Sequence, residues 1–340
     1  MGLIPEQSFT VRVPAWHGEG TVLQDYPGRD EAMRLGGHDW DVLTLRSFTE
    51  YPVEVLAAAG EVTEDGRGRL RADGGWFTHV RSDNLFLLHK AQDSFERIQN
   101  SVAYDLAEMI LDEGFLFETA GTMDGGKQNY LTLLLPEPFY ITGDKSAVLP
   151  YCGMSWCHDG SGALRIRGTS VRQVCQNTVA ASEAEAKGLG TDFTFKHTKN
   201  VHDRIEEART AIRGMREGFD VYREVMEELA SIEVTPEQRD LFVSTIIGDR
   251  DGIVSKSATV SDRVKNNIEA ERAKINALFM GATIPTDHVL SAYGLHLAGV
   301  EYFDHLRAYR SQDSYVKRTL LTDNPAKANL TKTIRALVAA

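Results

Sequence analysis

The rhythm of apolar positions changes near residue 200. Beyond it, Ile205, Ala208, Ile212, Met215, Phe219, Tyr222, Met226 and Leu229 recur at alternating intervals of three and four. That spacing predicts an amphipathic helix of about 25 residues whose seam packs on a partner helix of this chain or of another copy. Thr235-Pro236-Glu237-Gln238 reads as a capping box with proline in the first helical turn, opening a second helix. Further helices are predicted over 261–280, 286–310 and, basic in character, 325–338.

Before residue 200 the apolar runs are short, alternate with polar residues and are broken by glycines. A short helix is expected over 30–35, stopped by Gly36-Gly37, and a strand follows in DWDVLTLRSF. EVTEDGRGRLRADGG reads as a polar loop or exposed hairpin, and WFTHVRSD as a strand. Residues 94–112 place Phe95, Ile98, Val102, Leu106 and Ile110 on one helical face. FLFETAG and NYLTLLLPEPFYI flank GTMDGGK as strands, and YCGMSWC pairs with ALRIRGTSVRQV around the turn HDGSG. NTVAASEAEAK is expected to start a helix with Asn177 or Thr178 as its N-cap. The pattern implies an α+β protein: an N-terminal antiparallel β-hairpin sheet with helices over 1–195, then a mostly helical region over 196–340.

Charge changes this picture locally. The net charge is −12, yet residues 1–150 carry 12 Lys/Arg against 24 Asp/Glu, so 151–340 are balanced and a local basic surface remains open. No run of about 18 apolar residues would span a membrane, and MGLIPEQSFTVRV lacks the apolar core of a signal peptide. The three cysteines, Cys152, Cys157 and Cys175, suit a reducing cytoplasm better than a disulfide framework.

Several motifs invite chemistry. Gly121 to Lys127 fits the opening of a phosphate-binding loop, but Gln128 stands where a Mg²⁺-binding hydroxyl belongs, and a strand follows instead of a helix. Asp124-Gly125-Gly126 is simply a hairpin turn. Zinc would need tight ligand pairs, whereas Cys152 and Cys157 are an odd number of residues apart on a strand and face opposite sides. No metal or other cofactor is expected. Cys157, Cys175, Ser161 and His158 could pair as nucleophile and base, although no known nucleophile motif surrounds them. In ALRIRGT, Leu164 and Ile166 share one strand face while Arg165, Arg167 and Thr169 share the other. A bulge at Gly168 would bring Arg172 back into that row, and Lys196 and Lys199 add charge downstream. Cations about 6–7 Å apart match the phosphate spacing of an extended strand, although a solvated hairpin face reads the same way. Trp16 and His17 in AWHGEGT read as a ligand-facing loop or as a buried anchor for the first strand.

Taken in order, these segments resemble the phage/plasmid-like proteins grouped as domain of unknown function 932. The resemblance rests on Ala15 to Thr21 (AWHGEGT), Phe117 to Gly121 (FETAG), His158-Asp159-Gly160-Ser161, Val174-Cys175-Gln176-Asn177-Thr178 and His197-Thr198. It covers roughly residues 10–310, with Glu19 where the family usually has a bulky residue. It implies a mobile-element origin and no established reaction. The order of elements is also similar to that of phage single-strand annealing proteins, which form rings and hold single-stranded DNA in a basic groove; fold order alone assigns no function.

The leading expectation is a cytoplasmic, non-enzymatic protein that binds single-stranded DNA as a homo-oligomer and takes part in recombination or annealing. Arg165, Arg167, Arg172, Lys196 and Lys199 would contact phosphate. Trp16, His17, His158, Asp159, Ser161, Cys175, Gln176 and Asn177 would support the motif region. An enzyme with its site around His158, Asp159 and Cys175, or an interaction protein that counters host defence, stands as the alternative.

Overall fold

Two sheets and a helical layer make up the computed structural model. It describes residues 7–12, 20–61, 68–172, 177–179, 192–200, 203, 215–249, 254, 256–257, 259–281, 283–307 and 329–339. The large sheet has eight strands: β1 (Gln7–Val11), β2 (Thr21–Leu23), β6 (Leu116–Met123), β7 (Gln128–Leu134), β8 (Val148–Cys157), β9 (Leu164–Arg172), β10 (Asn177–Val179) and β11 (Asp192–Phe195). Their order is β10-β9-β8-β7-β6-β1-β2, with β11 also on β9, and every pairing is antiparallel except β1 with β2. The small sheet is a meander of β3 (Val42–Tyr51), β4 (Arg69–Arg81) and β5 (Leu87–Gln92).

Strict alternation builds the large sheet. On β8, Cys152, Met154 and Trp156 are buried while Tyr151, Gly153 and Ser155 are only half-buried, and Leu164 and Ile166 of β9 join the buried side. Helices α1 (Arg29–Leu35) and α3 (Asn100–Leu111) cover that side, where Tyr104, Leu106 and Ile110 meet Phe117, Leu131, Leu133 and Trp156. The short α2 (Val53–Ala58) follows β3. The α3 helix starts six residues later than the periodicity predicts. Gln99 is used instead as a clip on β3: its Oε1 accepts from Val42 N at 2.7 Å and its Nε2 donates to Val42 O at 3.1 Å.

A second core belongs to α4 (Met215–Ser231), α5 (Pro236–Ile246), α6 (Asp262–Met280), α7 (Ala292–Glu301) and α8 (Leu330–Val338). Phe219, Tyr222, Met226 and Leu229 of the predicted seam are buried and Met215 opens α4, while Ile205, Ala208 and Ile212 lie outside the described residues. Phe219 packs in the sheet core, and Ile141 from the β7–β8 connection packs in the helical core, so the two regions share residues. The capping box at Thr235 and Gln238 forms in both directions. The helix expected over 286–310 is divided: a 3-10 turn at Thr286–His288, an N-cap at Ser291, then α7 and a π-turn at Tyr302–Leu306. Among the described residues no helix is long and apolar enough to cross a membrane.

One expectation is overturned outright. Asn177 and Thr178 do not cap a helix: Asn177–Val179 is a strand paired to Arg172, Val171 and Ser170. The unpaired edge of β9 beyond Leu164–Arg167 is completed by these three residues, so ladder hydrogen bonds replace the cap.

The small sheet meets the large one along a seam of imidazoles. Phe95 lies against His79 at 5.5 Å and His89 at 5.2 Å between ring centroids, and stacks on His197 at 4.5 Å. His79 is 4 % exposed and its Nδ1 has no hydrogen-bond partner. Gly160 lets His89 approach, because a Cβ there would lie 2.8 Å from His89 Nε2, and its φ of +75° also favours glycine.

Candidate nucleic-acid interface

His158 opens the turn between β8 and β9, and its environment decides what it can do. The side chain of Asn100, at the first turn of α3, gathers this region. Its Nδ2 donates to His38 O and Trp40 O, both at 3.0 Å, and its Oδ1 accepts from Trp156 Nε1 and His158 Nε2, both at 2.8 Å. Two donors and two acceptor sites exhaust the capacity of a carboxamide. His158 is fully enclosed; burial, with the positive potential of neighbouring imidazoles and Arg81, pushes its pKa down to about 3. It is therefore a neutral imidazole whose Nε2–H is committed to Asn100. His38 is its counterpart: burial brings its pKa to about 3 as well. Its Nε2 faces Gly121 O at 3.1 Å and so carries the proton, and its Nδ1 lies 3.0 Å from the Tyr104 hydroxyl, which also donates to Ala32 O at 3.2 Å. Asp159 caps the turn, accepting from Ser161 N at 2.9 Å and from Ser161 Oγ at 2.5 Å.

The large sheet's second face, away from α1 and α3, is polar. Register aligns Arg165 with Ser155, Tyr130, Gly121 and Ser8 in one transverse row. The next row runs through Arg167, Gly153, Thr132, Thr119 and Thr10. The two arginines share a face about 6.5 Å apart along β9. Both are half-buried, and both already carry interactions within the chain. Tyr130 is buried and its hydroxyl is pushed up to about 12 by desolvation, while the half-buried Tyr151 hydroxyl is also raised, chiefly by burial and then by Glu118.

Glu118 sits where the β6–β7 register slips between Phe117 and Thr119. Its Oε2 is buried with no hydrogen-bond partner, and desolvation lifts its pKa to about 7 against the opposing pull of Arg12. Arg12 in turn lies over the Tyr26 ring, 5.2 Å from its centroid.

The other predicted residues divide. The β8–β9 register is continuous from Ser155–Arg165 to Val148–Arg172, so Gly168 makes no bulge. The backbone of Arg172 pairs with Val148, and the shift that was to bring it back beside Arg165 and Arg167 does not occur. Asn177 lies opposite Arg172 in the β10 register. Lys196 follows β11 and is exposed; Lys199 is exposed and 3.8 Å from Asp93. Trp16, His17, Cys175 and Gln176 lie outside the described residues. Cys152 and Cys157 are buried, with the Cys152 thiol raised by desolvation. Among the described residues no group of three or more His, Cys, Asp or Glu could hold a metal ion. Sequence reasoning missed Asn100, His38 and the role of Glu118; only Glu118 carried a signal, as the second residue of FETAG.

The chain matches the family described as Domain of unknown function (DUF932) over residues 87–322, and it belongs to that family. No curated protein matches it, and no solved structure does.

Proposed function

We propose that this member of the domain of unknown function 932 family is a phage- or plasmid-type protein that binds single-stranded DNA, without catalysis and as an oligomer, on the second face of its large sheet. The observation that carries the reading is the pair Arg165 and Arg167 on one face of β9, in rows of hydroxyl-bearing residues with Tyr151 beside them. Extended nucleic acid is held by cations at strand spacing and by aromatic rings that accept stacked bases. A phosphate reaching this face would meet guanidiniums already ordered by the protein, which lowers the cost of fixing them. Lys196, exposed where β11 ends, extends the cationic line. The acidic N-terminal half disfavours long-range attraction, so binding should be weak at moderate salt and steeply salt-dependent.

Anisotropy of a labelled single-stranded oligonucleotide at two salt concentrations tests the reading. The expected result is binding at low salt that weakens as salt rises, with Arg165→Ala plus Arg167→Ala flattening the salt slope by about two counterions. Tyr151→Ala should cost about 1–3 kcal/mol if its ring stacks a base. No binding at low salt, or binding indifferent to loss of both arginines, would sink the proposal.

A further inference from the structure

The outer face of the small sheet has the opposite chemistry. Leu43 and Leu45 of β3, Trp76 of β4 and Leu87 of β5 are 38, 47, 38 and 56 % exposed. Register puts Leu43, Val80 and Leu87 side by side, and Leu45 beside Thr78 and Lys90, so these side chains form one continuous face. The opposite face bears His79, His89 and Ala91 and lies on the imidazole seam. Nine of the fifteen exposed large apolar side chains among the described residues fall within 42–92, a concentration beyond the scattered surface leucines of a monomer. β3 and β5 also bound the sheet, each with one described partner, β4.

We propose that this face is a self-association surface, packed in solution against the same face of a second copy of the chain. Charge selects that occupant. Residues 42–92 carry six Lys/Arg against seven Asp/Glu, although 1–150 as a whole carry 12 against 24. The charges on and beside the face are matched within it: Lys90 pairs with Asp73 at 2.7 Å and stands 5.9 Å from the Trp76 ring centroid, and Arg71 pairs with Glu61. A strongly charged partner gains nothing here. An identical face, apolar at its centre and neutral at its rim, meets no repulsion, and a twofold arrangement sets like on like as isologous dimers require. Two such sheets would stack about 10 Å apart with interdigitated leucines. The inference rests on the oligomer of the proposed function and locates its contact, while the DNA contact is tested separately, so a monomeric mass would overturn the assembly and leave DNA binding to the anisotropy experiment.

Light scattering behind size exclusion, without DNA and across a micromolar dilution series, tests it. The expected mass is twice 37.8 kDa or a multiple of that, falling to 37.8 kDa for Leu45→Lys plus Leu87→Lys with circular dichroism unchanged. If that variant unfolds, Leu45→Cys in a Cys175→Ser background decides instead, and mild oxidation should give a covalent dimer across the twofold. A wild-type mass of 37.8 kDa at every concentration would overturn the proposal. So would an assembly that survives the lysine substitutions intact, or a folded cysteine variant that never crosslinks.

Discussion

The two sheets of this chain are stabilised in different ways. The large sheet lies against a core that includes Phe9, Tyr104, Phe117, Trp156 and Ile166, all essentially inaccessible. Among the described residues the small sheet's buried apolar cluster is Trp40, Val42 and Leu88, with Leu56, Val80 and Ala91 buried outside it. So few buried side chains cannot offset the ordering entropy of strands that span 42–92. Attachments must supply the rest: Gln99 clipped to Val42, Asn100 bonded to His38 O and Trp40 O, and Phe95 among three imidazoles. The difference separates a sheet that stands on its own packing from one that stands on polar joints, and polar joints can be cut singly.

The largest effect should come from Asn100→Leu. It removes four buried hydrogen bonds at once and leaves the Trp156 and His158 donors unsatisfied. A loss of roughly 4 kcal/mol is expected, the size reserved for broken buried networks. Urea unfolding measures the total. Hydrogen exchange shows where it falls, with peptides from 42–92 losing protection before those from 116–157. Equal loss in both would erase the distinction between the sheets.

Acidification attacks the same joint without a substitution. His38 and His158 are held near 3 and His79 near 4, each chiefly by burial. The unfolded chain binds protons at these sites from about 6.5 downward while the folded chain does not, so stability is full above that pH and declines below it. At pH 5.5 the two fully enclosed histidines together should cost roughly 3 kcal/mol. Arg81 and Arg97 also face these rings and oppose their protonation, whereas Asp159 favours it at His197. Urea midpoints at pH 7.5 and 5.5 test the sign, and a protein more stable at the lower pH would contradict the assignment.

Much of the fold was legible because its signals are local. Period-two alternation located β8 and β9 and put Arg165 and Arg167 on one face, and the HDGSG and DGG turns were readable from their glycines. The lost parts depend on distant partners. Asn100 looked like any polar residue within a predicted helix, since its four partners come from positions 38, 40, 156 and 158. NTVAASEAEAK satisfies the local rules for a capped helix, but the open edge of β9 recruits Asn177–Val179 as a strand. The bulge expected at Gly168 is absent because a glycine in a strand signals a bulge only statistically, and the β8–β9 register runs through it unbroken.

The turn joining β6 and β7 offers a smaller cut. Gly126 has φ +97°, and a Cβ there would come within 2.6 Å of the Trp40 ring and 3.2 Å of Arg81 Nη1. That arginine also donates to Gly125 O at 3.0 Å and stacks 4.4 Å from the Trp40 ring centroid. Gly126→Ala should therefore cost about 2 kcal/mol through backbone strain and displacement of Trp40. Exchange protection should again fall first in 42–92. Gly143→Ala is the matching control, because its φ of +81° carries similar strain beside His288, in contact with the helical core.

The smallest expected effect lies on the large sheet and has the opposite pH sign. Glu118 is raised to about 7 by desolvation, so the folded chain keeps a proton that the unfolded chain has already lost above about 4.5. Its contribution is present below that value and lost as the pH rises through 7, the reverse of the histidine trend. Glu118→Gln keeps the shape and removes the ionisation. Because the carboxyl is partly exposed and solvent screens it, the gain at pH 8 should be about 1 kcal/mol or less. What identifies the effect is therefore its slope: the difference between variant and parent should grow from pH 5 to pH 8 while the loss below pH 6 stays unchanged. A difference that is flat with pH would mean that Glu118 ionises at its ordinary value and that its buried oxygen is solvated after all.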